Sequence, residues 1–367
     1  MAEARQITTI QAAAILISTI IGVGVLPLPL FAVHAAESGA PFITFISALV
    51  AMASLVLVSV LGMRFPSQTI GQYSETIIGK WPGRIGSIMV IAFFAILTSL
   101  AAREFGEVVI TAVLPRTPLE VTVTVMLLLA AISTRNNITT FAYIHFFYFP
   151  LLLGPALLIT VLALKNADTI NLLPIWGNGN IGIKGTIDGI LTIASLFQSA
   201  FVLAIVIPSM RRPNRALRAS IWGMVISGGL YVTIVLATVS VFGSEEIKNL
   251  LWPTLELAKA TSLPANVLER LDAAFLAVWV TAVFTTLFST YFFTVTELGN
   301  LFHLKDHKML SFFLLPIVFL VAMLPQNILQ MYEVIRNIGQ MGLIITIGYP
   351  AFLLIIAWVR GKRGDRT

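Results

Sequence analysis

The sequence contains no cysteine, which excludes a disulfide framework and thiolate metal ligation. Charge is scarce too. Only 11% of the 367 residues are Asp, Glu, Lys or Arg, against about 25% in ordinary soluble domains. Hydrophobic residues make up 57%, in runs long enough to span the roughly 30 Å of a bilayer core. The chain therefore reads as an all-α polytopic membrane protein. It offers no nucleophile, base and orienter set, no metal-ligand cluster and no phosphate-binding loop, so neither an enzyme, a metal nor a cofactor is expected. The net charge of +6 does not indicate nucleic acid, because the basic residues stand at the ends of apolar runs and not in one patch. No small-residue cleavage site follows Arg5, so the first helix is expected to stay.

The apolar runs number ten, at about 8–36, 41–63, 84–113, 119–134, 138–164, 186–208, 216–242, 270–301, 309–325 and 338–360. An even count puts both termini on one side of the bilayer. Fifteen of the 23 lysines and arginines fall on that side, seven on the other, and Arg103 within a span. The positive-inside rule then makes both termini cytoplasmic. The longest loop on the far side, about Gly243 to Pro264, is expected to hold a short helix capped by Ser244 and ended by Trp252-Pro253.

The first run contains Ile20 to Leu30, read I-I-G-V-G-V-L-P-L-P-L. Gly22, Gly24, Pro27 and Pro29 within eight positions disfavour a continuous helix. Broken backbone in a bilayer is tolerated only where protein or a water-filled cavity receives it. The break is thus either an interior binding site or a structural kink. As a site, the amides of Val23 to Leu26 would face an anionic group, and carbonyls of the broken helices an ammonium. Ten spans with a broken first helix suggest one transmembrane domain of two inverted five-helix repeats, roughly 8–164 and 186–360. The sixth helix should then be broken too. Its polar stretch Ser195 to Phe201 has no glycine or proline, which is a weaker signal.

Only four charges fall well within spans, away from their ends: Arg103, Glu104 and Glu107 in the third, and Glu297 in the eighth. Each costs about 2.5–3.5 kcal/mol on insertion scales unless paired or hydrated. Arg103 and Glu107, four apart, can meet on one face, as a gate or coupling pair or as an internal tie. Glu104, rotated by about 100°, is expected to serve another helix. Glu297 is expected to reach the interface. Helix eight carries hydroxyl rows Thr281, Thr285, Ser289 and Thr286, Thr290, Thr294, which either contact a ligand or bond to their own helix carbonyls and glue helices together. His145 in the fifth span reads as a satisfied interface histidine, with a proton relay as the alternative.

Several motifs occur together along the chain: Gly22-Val23-Gly24-Val25-Leu26-Pro27; Arg103 with Glu107, then Arg116-Thr117-Pro118; Pro208 before a basic loop; Leu251-Trp252-Pro253-Thr254; Glu269-Arg270; Trp279; and Phe284-Thr285-Thr286. In this order they resemble the B subunit of spore germinant receptors. That is the spore germination permease family of the amino acid/polyamine/organocation superfamily, with a LeuT-like fold.

The resemblance implies a subunit that senses a nutrient, typically an L-amino acid, in the spore inner membrane, assembled with A and C subunits. It implies a pocket at Gly22, Gly24 and Val25, near Phe93 and Leu97, at Phe197, Gln198 and Ser199, and at Thr285, Thr286 and Ser289. Phe93, Phe201 and Val202 make that pocket less polar than in some relatives. The alternatives are an amino acid permease that transports, and a structural subunit that binds nothing.

Overall fold

The computed structural model describes residues 6–177, 182–261, 271–304 and 306–364. Glu269, Arg270 and Pro264, and the basic residues Arg5, Lys305 and Arg366, lie outside them. Fifteen α-helices are present among the described residues: α1 (Thr9–Ile20), α2 (Leu28–Ala36), α3 (Ala40–Arg64), α4 (Ile70–Ile78), α5 (Lys80–Ala112), α6 (Leu119–Ser133), α7 (Ile138–Ala163), α8 (Gly182–Ser195), α9 (Leu203–Val206), α10 (Ala216–Ile247), α11 (Pro253–Ala260), α12 (Leu271–Leu301), α13 (Lys308–Ala322), α14 (Ile328–Leu343) and α15 (Tyr349–Val359).

Six helices among the described residues are long and apolar enough to cross a membrane, and a bent pair, Gly182–Ser195 with Gln198–Ser209, makes a seventh. Thr9–Ile20, Leu119–Ser133 and Lys308–Ala322 are shorter apolar helices. Helices thus occupy all ten expected runs. The last starts earlier than expected, at Ile328 and not near 338, because Asn327 caps it through the amide of Gln330. Its first turns lie outside the apolar run because they carry Gln330, Glu333, Arg336 and Asn337.

Both chain ends meet one face of the bundle. Ile7 pairs with Met210 in an isolated parallel bridge, and the Ile7 carbonyl accepts from the Arg211 amide at 2.8 Å. The Arg64 Nε donates to the Lys362 carbonyl at 2.6 Å. From there α1 runs inward against α7, α10 and α12. A capping box, Thr8 with Gln11, starts it.

In the far-side loop, Gly243 (φ 72°) kinks α10, so that a short turn of helix follows it as expected. Trp252-Pro253 does not end that turn. Pro253 instead opens α11, where its fixed φ suits the first helical turn and its missing N–H costs nothing. Glu297 does not reach the interface either. It is 2% exposed and accepts from the Gly71 amide at 3.0 Å and from Asn300 Nδ2 at 3.2 Å, which ties α12 to the start of α4.

Helix α4 packs against α5 through a glycine. A Cβ on Gly83 would lie 2.6 Å from the Glu75 backbone, whereas one on Gly229 in α10 would meet nothing within 4 Å. Gly83→Ala is therefore expected to destabilise by about 1–3 kcal/mol, and Gly229→Ala to be neutral or slightly stabilising. Thermal unfolding of the two variants in nanodiscs checks this.

Candidate functional site

The first helix breaks where its glycines and prolines stand. Helix α1 ends at Ile20, a single 3₁₀ turn covers Val23–Val25, and α2 starts at Leu28 after Pro27. The carbonyls this exposes are met by neighbouring helices. Thr285 Oγ1 donates to Ser18 O at 2.7 Å, and Thr286 Oγ1 to Thr19 O at 2.8 Å. Ser199 Oγ also donates to Thr19 O, at 3.2 Å. The Tyr231 hydroxyl donates to Ile20 O at 2.6 Å, Trp279 Nε1 to Gly22 O at 3.2 Å, and Thr254 Oγ1 to Val25 O at 2.7 Å. The Trp-Pro-Thr motif has its physical meaning here. Trp252 Nε1 holds Thr111 at the end of α5 at 3.1 Å, and Thr254 holds the break.

The sixth span breaks without glycine or proline. The amides of Leu196 and Phe197 turn to carbonyls three residues back, Ile193 and Ala194, and Gln198–Val202 continues as 3₁₀ helix. The two segments meet at 44°. Gln198 Nε2 crosses to the Gly339 carbonyl of α14 at 2.8 Å, and the lack of a side chain at Gly339 leaves room for Ser195.

Between the two breaks lies a cavity of about 70 Å³. Its walls are Ile20, Val23 and Gly24 at the first break, Ser195, Leu196 and Ser199 at the sixth, Leu97 to Glu104 on α5, Thr286 on α12, and Ile335 to Gly339 on α14. On the side of the chain ends it is backed by aromatic rings, with Phe94 stacked on Phe293 at 4.2 Å and against Phe201 and Phe93. About one turn along α8 and α14 towards the far face, a larger cavity of about 520 Å³ opens among His34, Asp188, Lys248, Tyr332, Glu333 and Arg336. At its rim Lys248 bonds Glu245 at 2.6 Å, and that hydrogen bond, with Glu37 nearby, raises its pKa.

Of the residues proposed from sequence, Gly24, Leu97, Ser199 and Thr286 line the smaller cavity. Gly22 is a close approach, since a Cβ there would collide with Thr286. Val25 is buried, with its carbonyl on Thr254. Phe93 fills the space left by Gly342, and Phe197 packs on Tyr231 at 4.9 Å. Thr285 caps Ser18, while Ser289 bonds Thr19 Oγ1 at 2.6 Å and His145 Nε2 at 3.1 Å. The other His145 nitrogen bonds Ser18 Oγ at 2.6 Å, so the ring joins α1, α7 and α12 as a satisfied interface histidine. The hydroxyl rows of α12, Ser289 apart, bond back to carbonyls of their own helix. Thr285 and Thr286 in addition hold α1.

Arg103 pairs with Glu107 inside α5 at 2.7 Å, both buried. Among the described residues no hydrogen bond or ion pair ties Glu104 to another helix. It faces the cavity, 4% exposed, and its Oε1 has no partner. Sequence reasoning missed it, together with Ile335, Ile338 and Gly339. The signal in hand was the rotation of Glu104 away from Arg103.

The profile of one family, described as spore germination protein, matches residues 6–331. The chain belongs to that family. Among curated members, spore germination protein YndE of Bacillus subtilis (strain 168) is 25% identical over 362 residues, covering 98% of each chain. Spore germination protein B2 of the same organism is 24% identical over 366 residues, 98% of this chain and 97% of the relative. Among solved structures, MhsT in complex with L-phenylalanine superposes with a TM-score of 0.67 at 13% identity, over 98% of this chain and 91% of MhsT. The chain thus has the LeuT-like fold of membrane transporters, broken in helices one and six.

Because Tyr231 supplies the donor for Ile20 O, Tyr231→Phe should leave a buried carbonyl short of a partner and cost about 1 kcal/mol. Tyr143→Phe, at a position 60% exposed, should cost nothing measurable. Unfolding midpoints of the two variants in nanodiscs check the difference.

Proposed function

We propose that this chain is the nutrient-binding subunit of a spore germinant receptor, that its ligand is a small nutrient of the L-amino acid class, and that binding signals through A and C subunits. Its place would be the spore inner membrane, with both termini on the core side. The inverted repeats would run roughly 8–164 and 186–360.

The observation that carries this reading is the cavity between the two broken helices, with aromatic rings on one side of it and a vestibule on the other. The amides of Val23 to Val25 would hold a carboxylate, supported by the N-terminal end of α2. Arg103 and Glu107, beyond the cavity towards the far face, would act as a gate or coupling pair. Ligand binding shifts the subunit only if it favours one state over another.

A second reading, an amino acid permease, is favoured by the fold itself, which is shared with transporters. Uptake of labelled L-amino acids into liposomes containing this chain separates the two. Many molecules per protein, released on permeabilisation, mean transport. A saturable level near one per protein means a receptor that binds without carrying. A third reading, a structural subunit, predicts that substitutions in the cavity are silent.

A Cβ at Gly24 would sit 3.4 Å from Leu196, in near-ordinary contact. Gly24→Ala should therefore keep the germination response and Gly24→Trp, which fills the cavity, should abolish it. Germination of spores with equal amounts of each protein is the readout. A normal response from Gly24→Trp would reject the site.

A further inference from the structure

We infer, resting on the nutrient-binding reading, that the cavity recognises its ligand by a cationic amine, with the carboxylate of Glu104 as counter-ion. Glu104 is 4% exposed, lines the cavity, and has one oxygen with no hydrogen-bond donor. A carboxylate withdrawn from water without a partner is costly, and a positive group placed against it offsets part of that cost.

No cationic side chain lines this cavity, and Lys248 and Arg336 belong to the larger one beside it. Arg103, the adjacent cation, is engaged with Glu107. The hydroxyls around the cavity are engaged as well. Thr286 and Ser199 donate to Thr19 O, Ser195 to Thr192 O, Tyr231 to Ile20 O, and Tyr332 to Leu251 O. What the site lacks is therefore positive charge. The backbone adds to this deficit. Ile20 and Ser195, the last residues of α1 and α8, lie on the cavity wall, so the carbonyl ends of two half-helices face it.

The same accounting revises where an amine would sit. The helix-one carbonyls Ser18, Thr19, Ile20 and Gly22 already accept from side chains. Among the cavity's side chains, Glu104 offers the acceptor that has no donor. A hard metal ion is a poorer match, because it needs several oxygen ligands. No group of three or more His, Asp or Glu side chains able to hold a metal occurs among the described residues. The remaining walls are largely apolar, including Val23, Leu97 and Leu100. A space of about 70 Å³ exceeds the roughly 10–15 Å³ that one water needs, so it suits an amine with a compact apolar body.

The test uses the full chain in nanodiscs and reads thermal unfolding with three probe sets. The first is alanine, valine and leucine. The second is the matched amines without the carboxylate, namely ethylamine, isobutylamine and isopentylamine. The third is the matched acids without the amine, namely propionate, isovalerate and isocaproate. Amino acids and amines should stabilise the protein and the acids should not. Glu104→Gln should weaken the apparent affinity for the stabilising probes by about tenfold or more, with Glu104→Asp in between.

Stabilisation by amino acids that survives unchanged in Glu104→Gln, or stabilisation by acids but not amines, overturns the amine assignment and leaves nutrient binding standing. No stabilisation by any of the three sets overturns both. The comparison of amines with acids on the unsubstituted protein decides the matter even if Glu104→Gln does not fold.

Discussion

A helix that stops inside a bilayer leaves carbonyl groups that water cannot reach, and the architecture here depends on supplying them with donors. The six carbonyls from Ser18 to Leu26 that accept across the break draw on α10, the Trp-Pro-Thr segment, the sixth-span break and α12. Each of these elements is positioned in part by that bond. The hydroxyls of α12, which look like ligand contacts when read as a polar stripe, are partly explained by this requirement. The threonines bind backbone first, Ser289 binds Thr19 and His145, and of these hydroxyls only Thr286 also reaches the cavity.

The consequence for the site is a particular electrostatic balance. Most polar groups around the cavity are already matched within the protein, as buried polar groups generally must be. Glu104 is the exception in the cavity wall. The internal pair of Arg103 with Glu107 sits one step away on the same helix and does not compensate it. A site so arranged would select by the one charge it leaves open, and its apolar walls by size.

The first break was legible in the sequence because glycine and proline act locally. Their effects on helix propensity and backbone donors need no knowledge of neighbours. The sixth break was barely legible, since it is made by tertiary contacts, Gln198 on Gly339 and Ser195 in the space beside it. Glu104 was misplaced for a related reason. Helical rotation says which way a residue turns relative to Arg103, but not whether a helix or a void lies there. The start of α14 was missed because its polar face, Glu333 and Arg336 included, lines the vestibule and so interrupts the apolar run. Glu297 looked able to reach water from its place in sequence, yet its partner is the amide of Gly71, more than two hundred residues away.

The side of the cavity nearest the chain ends is backed in a different manner from the rest. Phe93 lies against Gly342 with no space for even one added carbon, and the rings of Phe94, Phe201 and Phe293 continue the contact. Aromatic surfaces fitted to one another hold there in place of a latch of ions. Such a contact behaves as a face seal. It tolerates little partial separation, because a small gap forfeits much of the dispersion energy while admitting no solvent to replace it. Parting of Phe93 from Gly342, and with it α5 from α14, would therefore be abrupt and not gradual.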